Sequence, residues 1–246
     1  MTINLSSRNR QAELMDDPSL NGNTHRHALA SLRRINWLSR SERTVWKEIL
    51  RQARANSGER PLTILDLAAG GGDLAIRLAS LAERDGVSVT IDGCDISPTA
   101  LGFATNQAAA AHCDNVRFFQ CDALQQPFPQ PTYDVVMCSL FLHHLNEADA
   151  ILLLHRMKAA ATQLVLVDDL RRTRLGYWLA WLGCRIFTRC HVVRIDGPMS
   201  VEGAFTSSEA LNIAARAGLS NAVLQHHWPQ RFTMSWRPDD RDVNAG

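Results

Sequence analysis

The sequence has almost no charge excess: 26 Lys and Arg stand against 25 Asp and Glu, a formal net charge of +1 over 246 residues. Without a surplus of either sign, no long-range field draws in nucleic acid or an anionic surface, and a small or neutral ligand is favoured. The six cysteines, Cys94, Cys113, Cys121, Cys138, Cys184 and Cys190, include no CxxC pair. Several fall in apolar runs, where a thiol behaves as a small hydrophobe, so they read as reduced structural residues of a cytosolic protein rather than a disulfide frame. No stretch reaches the roughly 18 apolar residues of a membrane span, and the opening MTINLSSRNRQAEL lacks the apolar core of a secretory signal. Internal repeats and low-complexity linkers are also missing. The expectation is a soluble, cytoplasmic chain with one large α/β domain and loosely packed ends at residues 1–24 and beyond Arg237.

What is present is an alternation of two hydrophobic periods. A helix is predicted over residues 28–37. A second starts at Ser39, where Ser39 and Glu42 have capping-box spacing ahead of Val45, Trp46, Ile49 and Leu50, and Asn56-Ser57-Gly58 closes it. Residues 62–67 form a short apolar run that enters Ala68 to Gly72, after which Leu74, Leu78 and Leu81 recur at helical spacing up to Gly86. The unit repeats with a strand at 87–91, Ser97-Pro98 as N-cap and first helical residue, and a helix to about His112. Strands at 116–119, 133–138 and 163–167 follow, with a helix over 147–161 and Asp168-Asp169 ending the fifth strand. An irregular insertion over 170–204 precedes a helix opened by the Thr206/Glu209 capping box and closed by Gly218. Strands at 222–226 and 231–236 are joined too closely for a parallel crossover and must form a hairpin. The pattern predicts a doubly wound, seven-stranded, mostly parallel sheet with an antiparallel C-terminal strand. It divides the chain into an N-terminal helical extension (1–58), a Rossmann-like domain (59–237, with 170–204 as a cap insertion) and a tail (238–246).

The run Ile64-Leu65-Asp66-Leu67-Ala68-Ala69-Gly70-Gly71-Gly72-Asp73 places glycines where a strand turns into a helix, so a ligand can approach backbone N–H groups. A dinucleotide fingerprint would need small residues at 68, 70 and 73. Asp73 breaks that pattern, and its carboxylate would repel a pyrophosphate at the helix N-terminus. After the second strand, Gly93-Cys94-Asp95-Ile96 offers a carboxylate able to accept both hydroxyls of a ribose. After the third, Gln120-Cys121-Asp122-Ala123 offers an acid and a backbone N–H suited to adenine. Each acid also has a plain structural reading, Asp95 as a turn former before Ser97-Pro98 and Asp122 as a loop cap.

Taken together, the glycine turn and the acids after strands two and three resemble the first motifs of class I S-adenosylmethionine-dependent methyltransferases, and most of all the ubiquinone/menaquinone-biosynthesis relatives, over about residues 60–170. The resemblance implies S-adenosyl-L-methionine as cofactor, with S-adenosyl-L-homocysteine as product. It places Ala68, Gly70 and Gly72 at the methionine part, Asp95 with Ile96 at the ribose, Asp122 with Ala123 at adenine, and Ser139 in the pocket wall after the fourth strand. Ala68 departs from the glycine that many relatives carry there.

His143 and His144 follow Ser139 at the sheet edge where the sulfonium belongs, and either is a candidate base for an acceptor hydroxyl; either could instead bond only to backbone. Asp168 and Asp169 end the fifth strand facing the same crevice, where they either orient a histidine, bind substrate, or pair with Arg171 or Arg172. No metal is required; Asp168, Asp169, His191 and Asp196 would be the loose candidates for one. The apolar stretch Leu175 to Phe187 is expected to form a lid with the helices bearing Trp37 and Trp46, giving an aromatic-lined cavity. Core packing, a dimer interface or a membrane-surface contact are its rivals, the last because arginines flank it. The expected function is methylation of a small apolar or aromatic acceptor, on oxygen of a phenolic, quinone-like or polyketide-derived molecule. The partners expected are this acceptor alone, with no nucleic acid, no stable membrane insertion, and a monomer or homodimer. The alternatives are a C-methyltransferase of a quinone precursor, a non-catalytic cofactor-binding protein and an NAD-type oxidoreductase.

Overall fold

Two strands buried on both faces carry the architecture, Leu62–Leu67 (β1) and Tyr133–Ser139 (β4), and this is why their sequences are nearly continuous apolar runs. In the computed structural model, which describes residues 4–17, 19–55 and 60–238, they lie at the centre of a seven-stranded sheet. The other strands are Val89–Asp95 (β2), Val116–Gln120 (β3), Ala161–Leu170 (β5), Val223–His227 (β6) and Arg231–Trp236 (β7). The helices are Gly22–Ser39 (α1), Ser41–Ala55 (α2), Asp73–Arg84 (α3), Pro98–Ala110 (α4), Glu147–Ala160 (α5), Arg174–Phe187 (α6), His191–Gly203 (α7) and Ser207–Arg216 (α8). The strand order is β3-β2-β1-β4-β5-β7-β6. Strand order reverses between β1 and β4, so the crevice outside their carboxyl ends is where a doubly wound sheet binds ligands.

β7 alone runs against the direction of the other six strands, and it sits inside the sheet between β5 and β6 rather than at an edge. Alternate side chains feed two cores. Leu65, Leu67, Val136, Cys138, Val165 and Val167 face α5 and α8, and Leu62, Ile64, Val135, Met137, Leu164 and Leu166 face α2 and α3.

Several expected boundaries shift for local reasons. α1 is longer than residues 28–37 because the Asn21 side chain caps it, accepting from the Asn23 N–H. Ser39 ends α1 instead of opening α2; its hydroxyl donates to the Asn36 carbonyl at 2.7 Å, left-handed Arg40 makes the corner, and Glu42 pairs with Arg77. The Thr206/Glu209 box, by contrast, forms with both of its bonds. β2 runs on to Asp95, and β5 takes in Asp168 and Asp169. The insertion at 170–204 is not irregular: Thr173 caps α6, accepting from the Gly176 N–H at 2.9 Å, and α7 packs beside it. Asn56, Ser57, Gly58 and most of the 238–246 tail lie outside the described residues.

Trp46 corrects the expected lid. It is buried in the core beneath the sheet with its indole N–H donating to Asp85 at 2.7 Å, so α2 is a covering layer of the domain and not part of a 1–58 extension. The stretch 4–17 corrects the expectation of a loose N-terminus. Asp196 accepts from the Leu14 and Met15 N–H groups at 2.9 and 3.1 Å, and Arg8 donates to the carbonyls of Gly203 and His143 at 2.5 and 2.8 Å.

Candidate functional site

After β1 the chain turns through Ala68 and Gly70, both at φ 53, and Gly72 at φ 74. The two glycines do different work. A Cβ on Gly70 would meet nothing within 4 Å, so its backbone faces open space. A Cβ on Gly72 would stand 2.5 Å from Phe118 Cζ and 2.8 Å from Ala104 Cβ. Gly72 therefore lets α3 close on β3 and α4, and it does not line the cavity above the turn, contrary to expectation. The other seven residues expected at the cofactor, Ala68, Gly70, Asp95, Ile96, Asp122, Ala123 and Ser139, all line one cavity of about 450 Å³.

Asp95 satisfies both of its readings. Its carboxylate accepts from the Gly70 N–H at 2.9 Å and the Ser97 N–H at 2.8 Å, which ties the glycine turn to the end of β2. A carboxylate has about four acceptor sites, so two remain for hydroxyls. Burial pushes its pKa up despite those two bonds. Asp122 likewise caps its loop, accepting from the Leu124 N–H at 2.8 Å, and still lines the cavity.

Asp66 and Asp73 line this cavity too, though neither was expected to bind a ligand. Burial, then the nearby carboxylates of Asp73 and Asp95, raise the pKa of Asp66 to about 8. A cation placed here would relieve that repulsion, so the cavity suits a ligand that is positively charged near its acids. The signal in the sequence was an acid inside an otherwise apolar strand.

A second cavity of about 330 Å³ lies against the first, and Met15, Leu32, Asn36, Leu140, His144 and Arg231 line both. Its walls are mostly apolar side chains of α1, α6 and α7, with Trp228 from the β6–β7 turn. α6 thus covers a cavity as expected, but Trp37 is exposed and lines neither of these two cavities.

The histidine pair divides by environment. His143 is buried: its Nδ1 lies 2.7 Å from Asp169, and its Nε2 faces Glu13 at 3.6 Å. Burial opposes its charge, but Asp169 and then Glu13 outweigh that and raise its pKa to about 10. With both ring nitrogens turned to carboxylates and a proton held at neutral pH, His143 is not placed to act as a base. His144 differs in bordering both cavities: Nδ1 is 3.0 Å from Asp16, while Nε2, 3.9 Å from Glu13, is beyond hydrogen-bond distance and is the ring nitrogen left for a ligand. Glu13 is itself buried and hydrogen-bonded by the Ser200 hydroxyl, and interaction with His143 and His144 holds its pKa down against burial.

Asp169 thus orients a histidine. Asp168 instead gathers His227 at 2.6 Å, Arg231 at 3.1 Å and Thr233 at 3.2 Å, while Arg172 pairs with Glu209. The loose metal candidates do not assemble, since His191 is exposed and Asp196 holds the N-terminal turn. Among the described residues, Glu13, His143 and His144 do bring three donor atoms within 4.8 Å of one another. In the same group His143 lies between the carboxylates of Asp169 and Glu13, which favour its protonated form.

Residues 64–163 match a family model described as a methyltransferase domain. Over that stretch the chain is similar to methyltransferases, and the sheet has the fold of their class I members. Demethylmenaquinone methyltransferase of Thermus thermophilus is 37% identical over 109 residues, 44% of this chain and 47% of that protein. The 2-phytyl-1,4-naphtoquinone methyltransferase of a Nostoc species is 29% identical over 135 residues, 54% of this chain and 56% of that protein. The chain therefore spans about half the length of the curated relatives it matches. Magnesium protoporphyrin IX methyltransferase from Synechocystis, solved with bound SAH, shares the fold at a TM-score of 0.55 and 16% identity, over 82% of this chain and 85% of that one. The domain match covers most of the first cavity's strand ends but leaves out the stretch 4–17, α6 and α7, the parts that build the second cavity.

Proposed function

We propose that the chain is an S-adenosylmethionine-dependent methyltransferase acting on a small, largely apolar acceptor, with a phenolic or quinol-like oxygen as the methylated atom. The observation that carries this is the junction of an acid-lined cavity and an apolar one at His144. When bound, the cofactor supplies an electrophilic methyl group on a sulfonium. The residues present fit it: Asp66, Asp73 and Asp95 favour its positive charges, Gly70 leaves room for close backbone approach, and Asp95 retains acceptor sites for a ribose. The same acids disfavour the pyrophosphate of a nicotinamide cofactor.

On the acceptor side, the apolar walls bury the body of the substrate and leave few charged groups, chiefly Glu13, His143, His144 and Arg231, to meet its reacting end. His144 takes the proton of the acceptor hydroxyl as the oxygen becomes nucleophilic. Asp16 fixes the ring through Nδ1, and Glu13 stabilises the imidazolium that forms. His143, clamped by Asp169, positions Glu13. Arg231 has a buried Nε–H without a partner, a donor available to an acceptor oxygen. Quinone-type acceptors gain support from the names of the relatives.

The test is calorimetric titration with S-adenosylmethionine, S-adenosylhomocysteine and NADH, followed by turnover with phenols and quinols and assignment of the methylated atom by NMR. Binding of the sulfur nucleosides alone, with an O-methyl product, is the expected result. A C-methyl product would replace oxygen by carbon, and NADH binding without the sulfur nucleosides would overturn the proposal.

A further inference from the structure

α6 is amphipathic in the wrong sense for a helix on a water-soluble surface. Gly176 and Cys184 are buried, whereas Leu175, Trp178, Leu182 and Ile186 are 56%, 54%, 49% and 62% exposed. Their spacings of three, four and four residues put all four on one stripe, and no charged residue interrupts it. Trp228, on the neighbouring β6–β7 turn, is 65% exposed and extends the patch.

Two further observations say what this face meets. First, Leu182, Ile186, Phe187 and Trp228 are exposed and also line the apolar cavity, so the patch surrounds a mouth of that cavity. Second, residues 170–195 contain six arginines and no Asp or Glu, in a chain whose total charge is near balance. Arg172 is used internally by Glu209, and Arg194 by the carbonyls of Thr188 and Arg185. Arg174, Arg185 and Arg189 are exposed beside the stripe. An apolar stripe edged by arginines matches the boundary between acyl chains and anionic headgroups. It matches a second copy poorly, since a two-fold contact through this face would set arginines against arginines. The helix, at 14 residues or about 21 Å, lies along such a boundary and does not cross it.

We infer that α6 and Trp228 seat the protein on an anionic lipid surface, and that the acceptor is an amphiphile whose apolar chain passes from that surface through the α6–Trp228 mouth while its polar end reaches His144. This rests on the acceptor site proposed above and adds the source and shape of the substrate. Sedimentation of the full chain with vesicles tests the surface, using phosphatidylcholine alone or mixed with phosphatidylglycerol and no cofactor present. Binding to the mixed vesicles that falls with salt is expected, with at least a tenfold loss in the Leu175→Asp/Trp178→Asp variant. Neither residue lines either cavity, so S-adenosylmethionine affinity of the variant reports its folding. No binding to mixed vesicles at low salt overturns the proposal, as does binding unchanged in the folded variant, or a dimer in light scattering that the variant abolishes while vesicles remain unbound. Substrate shape is read from kcat/KM across 4-alkylphenols, which should rise with chain length; a flat series overturns the lipid-borne acceptor. Vesicle binding without any methyl transfer would count against the function proposed above while leaving the surface intact.

Discussion

Replacing Gly72 by alanine separates two explanations of the glycine turn that the sequence treats alike. The structure assigns two penalties. A left-handed backbone at φ 74 costs an alanine about 1–2 kcal/mol. A methyl 2.5 Å from Phe118 Cζ and 2.8 Å from Ala104 Cβ overpacks the contact between α3, β3 and α4, at about 1–3 kcal/mol. The sum, about 2–5 kcal/mol, corresponds to a fall in melting temperature of roughly 4–20 °C for a chain of this size. Gly70→Ala carries only the backbone penalty, because its Cβ would meet nothing, so it should lose roughly 2–8 °C. It should nevertheless be the variant that loses more S-adenosylmethionine affinity, since its methyl group borders the cavity. Scanning calorimetry and ligand titration of the two variants check this. Adding Phe118→Leu should recover part of the Gly72→Ala loss, with a coupling of about 0.5–3 kcal/mol. Equal melting losses at the two positions, or no recovery with Phe118→Leu, would refute the assignment of Gly72 to packing.

Asp95→Ala should weaken S-adenosylmethionine binding by on the order of 10- to 100-fold, through loss of charged acceptor sites and of the tie to Gly70, with the circular dichroism spectrum unchanged; unchanged affinity would remove Asp95 from the cofactor site. His144→Ala should lower kcat by about 10²- to 10⁴-fold with little change in cofactor affinity, and Glu13→Gln should lower it less; a fall in cofactor affinity that accounts for the lost rate would argue against a base. The His143 pKa is raised from 6.5 to about 10, so its contribution to stability is complete below about pH 6.5 and is lost as pH rises through 10. Asp169, whose pKa is lowered, contributes above its ordinary 3.8 and loses that contribution in acid. The urea midpoint should therefore fall more steeply between pH 7 and 10 in the native chain than in His143→Gln, and parallel slopes would show that His143 carries no proton there.

The sheet and the first cavity were legible because their signals are local. Strand, glycine turn and helix follow one another within about twenty residues, and Asp95 and Asp122 fall directly after strands. Gly72 was read at the cofactor, whereas the close contact that a side chain there would make is with Phe118, which no local pattern connects to it. Ser39 and Glu42 have the spacing of a capping box, but one left-handed residue at Arg40 moved the corner and left Glu42 to Arg77. The acidic cavity floor went unread because Asp66 lies in a strand, where an acid looks like an interruption of the apolar run and not like a ligand.

The second cavity was the harder part, for a reason that bears on what would set the specificity of the proposed enzyme. Glu13 and Asp16 sit in a polar stretch with no hydrophobic period, and the bonds that fix it reach far along the chain: Leu14 and Met15 to Asp196, Arg8 to Gly203 and His143, Arg172 back to Leu5. Such contacts have no periodic trace in the sequence. They nonetheless make the N-terminal stretch one wall of the second cavity and place Met15 and Asp16 along the first cavity as well. A ligand in the first cavity would press on the same segment that carries Glu13 to the histidines. Loosening that segment without touching the cavities, for example by Asp196→Asn, should therefore raise KM for the acceptor and lower kcat together, since Asp196 holds Leu14 and Met15 but lines neither cavity. If only thermal stability changes, the segment is a structural strap and the acceptor must be oriented by α6 and α7 alone.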